Sequence, residues 1–584
     1  MSTSGEPTER SPLLQNVASH NDKFGPSITG SLPNEPITDG AANSTGATAD
    51  GDEELQGQRR NYQGMPDVYK KMKYILPALG VGIFMSAGDQ TIIVSSYGKI
   101  GSDLKALNST SWIATAYFLT LTSFQPLYGK FSDIFGRKQA LLFAYTIFGL
   151  GCLWCGLARS MNELIVARAF AGIGGGGMTT VVSILLSDVI PLRNRGTWQG
   201  YVNIIFATGS GCGAPLGCAS CPQLVLTITD LWLSGGILAD YVGWRWSFLG
   251  QAPLSLIAIV CVVSMLQLPK DEDVHWKAKL KRVDFLGALV LISAVFTLIL
   301  GLDHGSNVSW SAPLTLSTLC VSPFLFAIFV FVEMRVAAEP FAPAHVVFER
   351  SLLSCYLCNF FSFGGWLSAI YYIPLFYQAV DGLTATQAGV RLLPGIVAGV
   401  SGSLASGVFM QKTGKYYWLT VGAYTWLTLG LIPIILFTGL VGDSTWGISV
   451  GLAICGFSNG VGVTTSLIAL ISNADQADQA IATACSYLFR SLGSVVGLSL
   501  TAAVVQHSLR VQLNEALGDN QNAEEIVKRV RESLDFIKSL EPDVRHLVTE
   551  CYGGATRASF VLSMGIVACA MLSSFGIREK RLSR

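Results

Sequence analysis

Long apolar stretches begin only after residue 70 and then fill nearly the whole chain, divided by short polar turns. Fourteen can be counted, at 74–96, 111–129, 139–157, 163–187, 198–217, 247–267, 284–302, 313–334, 352–379, 386–409, 416–438, 446–471, 480–505 and 557–577. A helix needs roughly 20 mostly apolar residues to cross the hydrocarbon of a bilayer. The pattern therefore predicts an all-α, polytopic membrane protein whose fourteen transmembrane helices occupy 71–577.

The flanking segments read differently. Residues 1–70 are rich in Ser, Thr, Asn, Gly, Pro and charge, too polar to bury a core, and are expected to form a disordered cytosolic tail. No apolar run lies near Met1, so the first span is expected to serve as the insertion signal. Within the tail, Glu9-Arg10-Ser11-Pro12-Leu13-Leu14 fits an acidic dileucine pattern, with Glu9, Leu13 and Leu14 as the residues a sorting adaptor would read. The rival is a chance match in a polar tail. The charged stretch 506–556 reads as a lumenal loop with helical character, and 578–584 as a short cytosolic C-terminal tail.

Composition narrows the class. Charged residues are only 13% of the chain against 50% hydrophobic, where a soluble domain carries about 25% charged residues. Net charge is zero, which argues against nucleic acid as a partner. Lys and Arg concentrate in the turns after spans 2, 4, 6 and 10 and after span 14, which puts both termini on the cytosolic side. The sequons at Asn108 and Asn307 then face the lumen as glycosylation candidates, Asn108 close to a span. Most cysteines sit inside apolar spans and behave as small hydrophobes. Cys152 and Cys155, like Cys218 and Cys221, form a CxxC without a histidine cluster, so no metal site or redox function is expected. No phosphate-binding Gly-Lys-Ser/Thr loop occurs, which argues against an ATP-driven pump. An enzyme is not expected, nor is any cofactor.

The sharpest local motif is Gly129-Lys130-Phe131-Ser132-Asp133-Ile134-Phe135-Gly136-Arg137-Lys138, between spans 2 and 3. Gly129 permits a close helix crossing, Gly136 a tight turn, and Asp133 can meet nearby cations or a helix N-terminus as a latch that breaks and reforms. A weaker echo, Gly407 to Lys415, follows span 10. Two parallel repeats about an axis along the membrane normal leave such a trace.

The loop Gly129–Lys138 resembles the GxxxDxxGRK signature of the major facilitator superfamily. Arg168 to Gly177 is similar to that family's span-4 pattern, and Gly209 to Gly217, with Gly213, Pro215 and Gly217, to its span-5 antiporter pattern; ordinary small-residue packing is the rival for the latter. The resemblance implies a major facilitator fold of two six-helix bundles plus two extra helices, spans 7 and 8. Fourteen spans look like the drug:proton antiporter branch. The stretches Gly88–Ile100, Ser111–Tyr117 and Gly196–Asn203 are similar to fungal vacuolar basic amino acid transporters. What this implies is exchange of lumenal protons for a small cationic solute, a basic amino acid, across the vacuolar membrane. The alternatives are a plasma-membrane drug or siderophore exporter and a non-transporting nutrient receptor on the same fold.

Charge inside the membrane is expensive and marks function by default. Asp89, Arg168 and Arg490 are therefore candidates for proton and substrate coupling, with structural hydrogen bonding or a static pair as the rival for each. Asn359, Tyr371, Tyr372, Gln378 and Asn459 are candidates for lining a cavity, or equally for gluing helices together. One stretch departs from the family pattern. Residues 218–234 interrupt Gly217-Gly235 and are too short and too broken by Pro222 and Asp230 to span. They are expected to be a retained intron of whole codons, the rival being a real lumenal loop.

Overall fold

The computed structural model describes residues 66–104, 111–217, 244–268, 284–307, 309–336, 343–383, 385–442, 444–517, 540–580 and 582. Glu9, Leu13, Leu14, Asn108 and the insertion 218–234 lie outside the described residues.

Each expected stretch is a helix: α1 Met72–Asp103, α2 Ser111–Phe135, α3 Arg137–Leu157, α4 Met161–Val189, α5 Leu192–Gly217, α6 Arg245–Met265, α7 Phe285–Asn307, α8 Pro313–Arg335, α9 Arg350–Ala379, α10 Leu393–Thr413, α11 Tyr417–Phe437, α12 Thr445–Asn473, α13 Gln479–Leu517 and α14 Pro542–Ser574. Helices dominate because a bilayer offers no partner for an exposed peptide group. Among the described residues, ten of the helices are long and apolar enough to cross a membrane by that measure alone, and α7 holds a shorter apolar run, Leu286–Leu302. Others carry polar side chains that face neighbouring helices, as Asn203 on α5 does by donating to Ser403 Oγ of α10 at 2.8 Å.

Local chemistry sets the ends. Ser160 caps α4 by accepting from the Glu163 amide, while the Glu163 carboxylate accepts from the Arg159 amide at 2.9 Å, a variant of the capping box. Gly136, with φ of 91°, separates α2 from α3, and Gly414, with φ of 69°, ends α10. Both angles lie where side chains are strained and glycine is not.

Helices α1–α6 form one bundle: α4 packs between α2 and α3, α5 lies along α1, and α6 meets α1 and α3. Helices α9–α14 form the second, with α12 between α10 and α11, and α9 against α13 and α14. The pair α7–α8 packs on itself and leans on α2 and α13, where Leu119, Leu291, Val295, Ile299, Phe329 and Leu488 make a small core.

The bundles meet at two related crossings. The second helix of each half crosses the fifth of the other: α2 meets α13, and α10 meets α5. Gly129 of α2 lies against Ala480 and Ala484, and Gly407 of α10 against Gly196 and Thr197. A Cβ at Gly407 would stand 2.5 Å from the Gly196 carbonyl carbon. The sequence echo at Gly129 and Gly407 thus marks the paired crossings. Both lie near the end bearing the α2–α3, α4–α5 and α10–α11 turns, the expected cytosolic face. Arg193 Nε donates to the Gln411 carbonyl at 2.5 Å and Gln411 Nε2 to Asn194 Oδ1 at 2.9 Å, which closes this end.

The stretch 506–556 is not one loop. α13 continues to Leu517 and α14 begins at Pro542. Val505, Leu509 and Leu513 recur every four residues and share a core with Val548, Cys551, Tyr552 and Ala555. That spacing is a helical stripe, which the charged residues between mask in the sequence.

Gly407→Val should wedge α5 from α10. Overpacking costs about 1–3 kcal/mol, so a cysteine placed at Thr197 should react with a polar thiol reagent about fivefold faster or more in the Gly407→Val background. An unchanged rate would mean that this crossing does not hold the end shut.

Candidate functional site

Asp89 sits in the body of α1 and Arg168 in α4, both fully buried. Arg168 Nη1 donates to Asp89 Oδ1 at 2.9 Å and Oδ2 at 2.7 Å. Gln251 Nε2 of α6 donates to Asp89 Oδ1 at 3.2 Å, and Arg168 Nε donates to the Ile113 carbonyl of α2 at 3.4 Å. The guanidinium lies 4.3 Å from the centre of the Tyr117 ring and 5.5 Å from that of Phe248. Two residues expected to be functional separately are therefore one ion pair, built from α1 and α4 and roofed by α2 and α6. Gln251, Tyr117 and Phe248 were not foreseen. A Gln in a predicted span was the available signal; the aromatics look like ordinary core.

The motif Gly129–Lys138 forms a compact charge cluster at the other end of the bundle. Arg137 bridges two acids: Nη1 donates to Asp133 Oδ1 at 2.5 Å, and Nε to Asp188 Oδ2 of α4 at 2.7 Å. The same Nη1 donates to Ser132 Oγ at 2.7 Å. Lys138 Nζ donates to the Val263 and Leu266 carbonyls at 2.9 and 2.8 Å, where the C-terminal end of α6 favours a cation. Asp133 meets a cation, while among the described contacts no helix N-terminus reaches it. Burial pushes the Asp133 carboxyl above the usual carboxylate range, and Arg137 pulls it back. Its ion pair with Arg137 is thus lost at a higher pH than an exposed carboxylate would allow. Asp188 was missed, since its only signal is an acid at the end of an apolar span.

Of the antiporter motif, Gly209 of α5 packs against α1, where a Cβ would meet the Phe84 backbone, and lies beside Gly88, the chain neighbour of Asp89. The side-chain surroundings of Gly213, Pro215, Gly217 and Asn307 lie outside the described residues.

In the second half, Arg490 Nη2 of α13 donates to Asn359 Oδ1 of α9 at 3.4 Å, joining two expected candidates. Asn459 Oδ1 on α12 is buried with no hydrogen-bond partner among the described residues. The other three are not brought there. Tyr371 and Tyr372 make an edge-to-face pair at 5.5 Å, and Gln378 Nε2 donates to the Pro374 carbonyl of its own helix at 3.3 Å. They lie ~18 to ~29 Å further along α9 than Asn359 at 1.5 Å per residue.

Removing one partner of a buried ion pair strands the other, at about 3–5 kcal/mol. Asp89→Asn or Arg168→Gln alone should lower the melting temperature of the purified protein. The double variant should recover most of the loss. Equal melting of all four proteins would show that the pair carries no stability.

Comparison with known proteins agrees with this architecture. The Major Facilitator Superfamily matches residues 79–498. The vacuolar membrane amino acid uptake transporter fnx2 of Schizosaccharomyces pombe is 39% identical over 87% of this chain and 84% of its own. The multidrug resistance protein fnx1 of the same yeast is 38% identical over 86% of this chain and 92% of its own. Vacuolar basic amino acid transporter 2 of Saccharomyces cerevisiae is 32% identical, covering 80% and 97%. Among solved structures, the proton:xylose symporter XylE shares the fold with a TM-score of 0.54 at 13% identity, over 88% of this chain and 98% of that one. The fold, the paired crossings and the motif between α2 and α3 have one explanation: this chain belongs to the Major Facilitator Superfamily of membrane transporters.

Proposed function

We propose that the protein is a proton-coupled antiporter that moves a small cationic solute, a basic amino acid, from the cytosol into the vacuole. One structural observation carries the coupling. Asp89 is a fully buried carboxylate held by Arg168 and Gln251, so protonating it releases a guanidinium that α2 and α6 also contact. A pair of this kind has two discrete arrangements, joined and parted, and a proton chooses between them. The relatives named for vacuolar amino acid uptake and basic amino acid transport support the substrate class and the vacuolar, multi-pass address. Asp133, Arg137 and Lys138 would then act as the latch of the cytosolic end. Asn307 would be a lumenal glycosylation site.

A second reading has its own support. The multidrug resistance relative is nearly as similar as the amino acid transporter, so export of cationic drugs is the alternative.

ATP-energised vacuolar vesicles from cells with and without the gene separate the two readings. Labelled Lys, Arg or His should accumulate at least about tenfold over the control and should leak when a protonophore collapses the pH gradient. Asp89→Asn should abolish this accumulation. Uptake of dyes or drugs with no uptake of the three amino acids would favour the exporter.

The vacuolar address is proposed to reside in Glu9, Leu13 and Leu14, read by a sorting adaptor. Replacing Leu13 and Leu14 by Ala should move a tagged protein from the vacuolar to the plasma membrane. An unchanged distribution would place the address elsewhere. We also hold to residues 218–234 as a retained intron; transcripts that mostly keep the segment would refute that.

A further inference from the structure

Two arginines lie deep in the helices, and their surroundings differ. Arg168 has both oxygens of Asp89. Among the described residues no carboxylate reaches Arg490. The arginine donates to Asn359 in a long contact and has the Tyr487 side chain beside it, while its Nε is buried without a partner among the described residues. Its guanidinium rests over two rings, 4.5 Å from the centre of Phe363 and 4.8 Å from that of Tyr487. Aromatic faces attract a cation but do not neutralise it.

The position is central in two senses. Arg490 lies eleven residues beyond Gln479, the first of α13, hence ~17 Å from that end, which is close to the middle of a hydrocarbon layer about 30 Å thick. Around α13 it stands between two faces. Gly493 and Gly497 touch the α9 backbone, and Ser486 bonds Asn359. On the other side Ala484 meets Gly129, Tyr487 shares a hydrogen bond with Ser183 of α4, and Ser491 donates to Gln125 of α2 at 2.9 Å. Arg490 therefore lies at the seam where the second half meets the first. Substrate sites of transporters built from repeats lie at that depth and at that seam.

We infer that Arg490, positioned by Asn359, is the recognition site for the carboxylate of the transported solute. The inference rests on the amino acid reading above. A guanidinium taken out of water with donors unused is completed by a carboxylate, which its planar fork binds with two parallel hydrogen bonds. Asn359 is held by the Cys355 carbonyl at 3.0 Å, Ser486 Oγ at 3.3 Å and Ser466 Oγ at 3.4 Å, all accepting from its Nδ2. Its oxygen is thereby left to Arg490, where it engages Nη2 and leaves the unpartnered Nε for the ligand. Arg168 holds both oxygens of Asp89 in this arrangement, whereas Arg490 has no acid partner among the described residues.

The test compares lysine with 1,5-diaminopentane, which is lysine without its carboxylate, as competitors of labelled lysine uptake in vesicles. In the wild type, lysine should compete about 10- to 100-fold better, the range expected for hydrogen bonds to a charged group. Arg490→Gln should erase that gap by weakening lysine while leaving diaminopentane unchanged, and Arg490→Lys should keep part of it. Asn359→Asp keeps the guanidinium in place but sets a carboxylate beside it, so it too should erase the gap; it carries the test where Arg490→Gln does not fold. Equal weakening of both competitors by Arg490→Gln, or a full gap in Asn359→Asp, would overturn the assignment. A wild type that takes up lysine without preferring it to diaminopentane overturns the carboxylate site alone. A wild type that takes up no Lys, Arg or His overturns the amino acid reading itself.

Discussion

A guanidinium inside hydrocarbon has to be answered from within the protein. Placing an Arg at the centre of a spanning helix costs about 2.5–3.5 kcal/mol even where the helix still inserts. Arg168 is answered by Asp89, and that one pairing orders much of the first half. It ties α1 to α4, draws Gln251 in from α6, and holds the Tyr117 ring of α2 against the charge. The same α4 ends at Asp188, which holds Arg137 of the loop between α2 and α3. Twenty residues of continuous helix separate Arg168 from Asp188, ~30 Å along one rod. The buried pair and the charge cluster at the basic end are thus two ends of the same rigid element. A rearrangement of the pair that tilted α4 would have a direct route to the Arg137 charge cluster, with no chain of small side-chain shifts between.

The loop Gly129–Lys138 was legible because its chemistry is contiguous: acid, turn glycine and two cations fall within ten residues, and the structure brings them together as written. The fourteen helices were legible because a bilayer demands length and apolarity. What could not be read was pairing across helices. Nothing in the sequence relates Arg137 to Asp188, Asp89 to Gln251, or Arg490 to Asn359, since each pair joins segments 51 to 162 residues apart. The stretch 506–556 misled for a related reason. Among its described residues, Arg510, Glu515, Arg545 and Glu550 lie on the exposed side of helices whose buried stripe, Leu509 and Leu513 sharing a core with Val548 and Tyr552, is narrow. Tyr371, Tyr372 and Gln378 were grouped with Asn359 because they share a span, yet a span is long enough to place its two ends in different environments.

The two crossings between the halves are related by the internal repeat but are not alike. At α5–α10 the contact is polar: Arg193, Asn194, Thr197 and Asn203 meet Gln411, Ser403 and backbone carbonyls. At α2–α13 small residues touch, with fewer polar contacts such as Ser491 to Gln125, and the extra helices α7 and α8 cover the seam with Leu291, Val295, Ile299 and Phe329. The added pair therefore breaks the symmetry that the Gly129 and Gly407 motifs share. Apolar contact is non-directional and survives sliding, whereas hydrogen bonds break steeply with angle. Rocking of the halves would accordingly shear α2 along α13 under its apolar cover and unzip α5 from α10. The α5–α10 seam, with its larger set of specific bonds, would then be the one whose breaking governs how readily the end it closes can open.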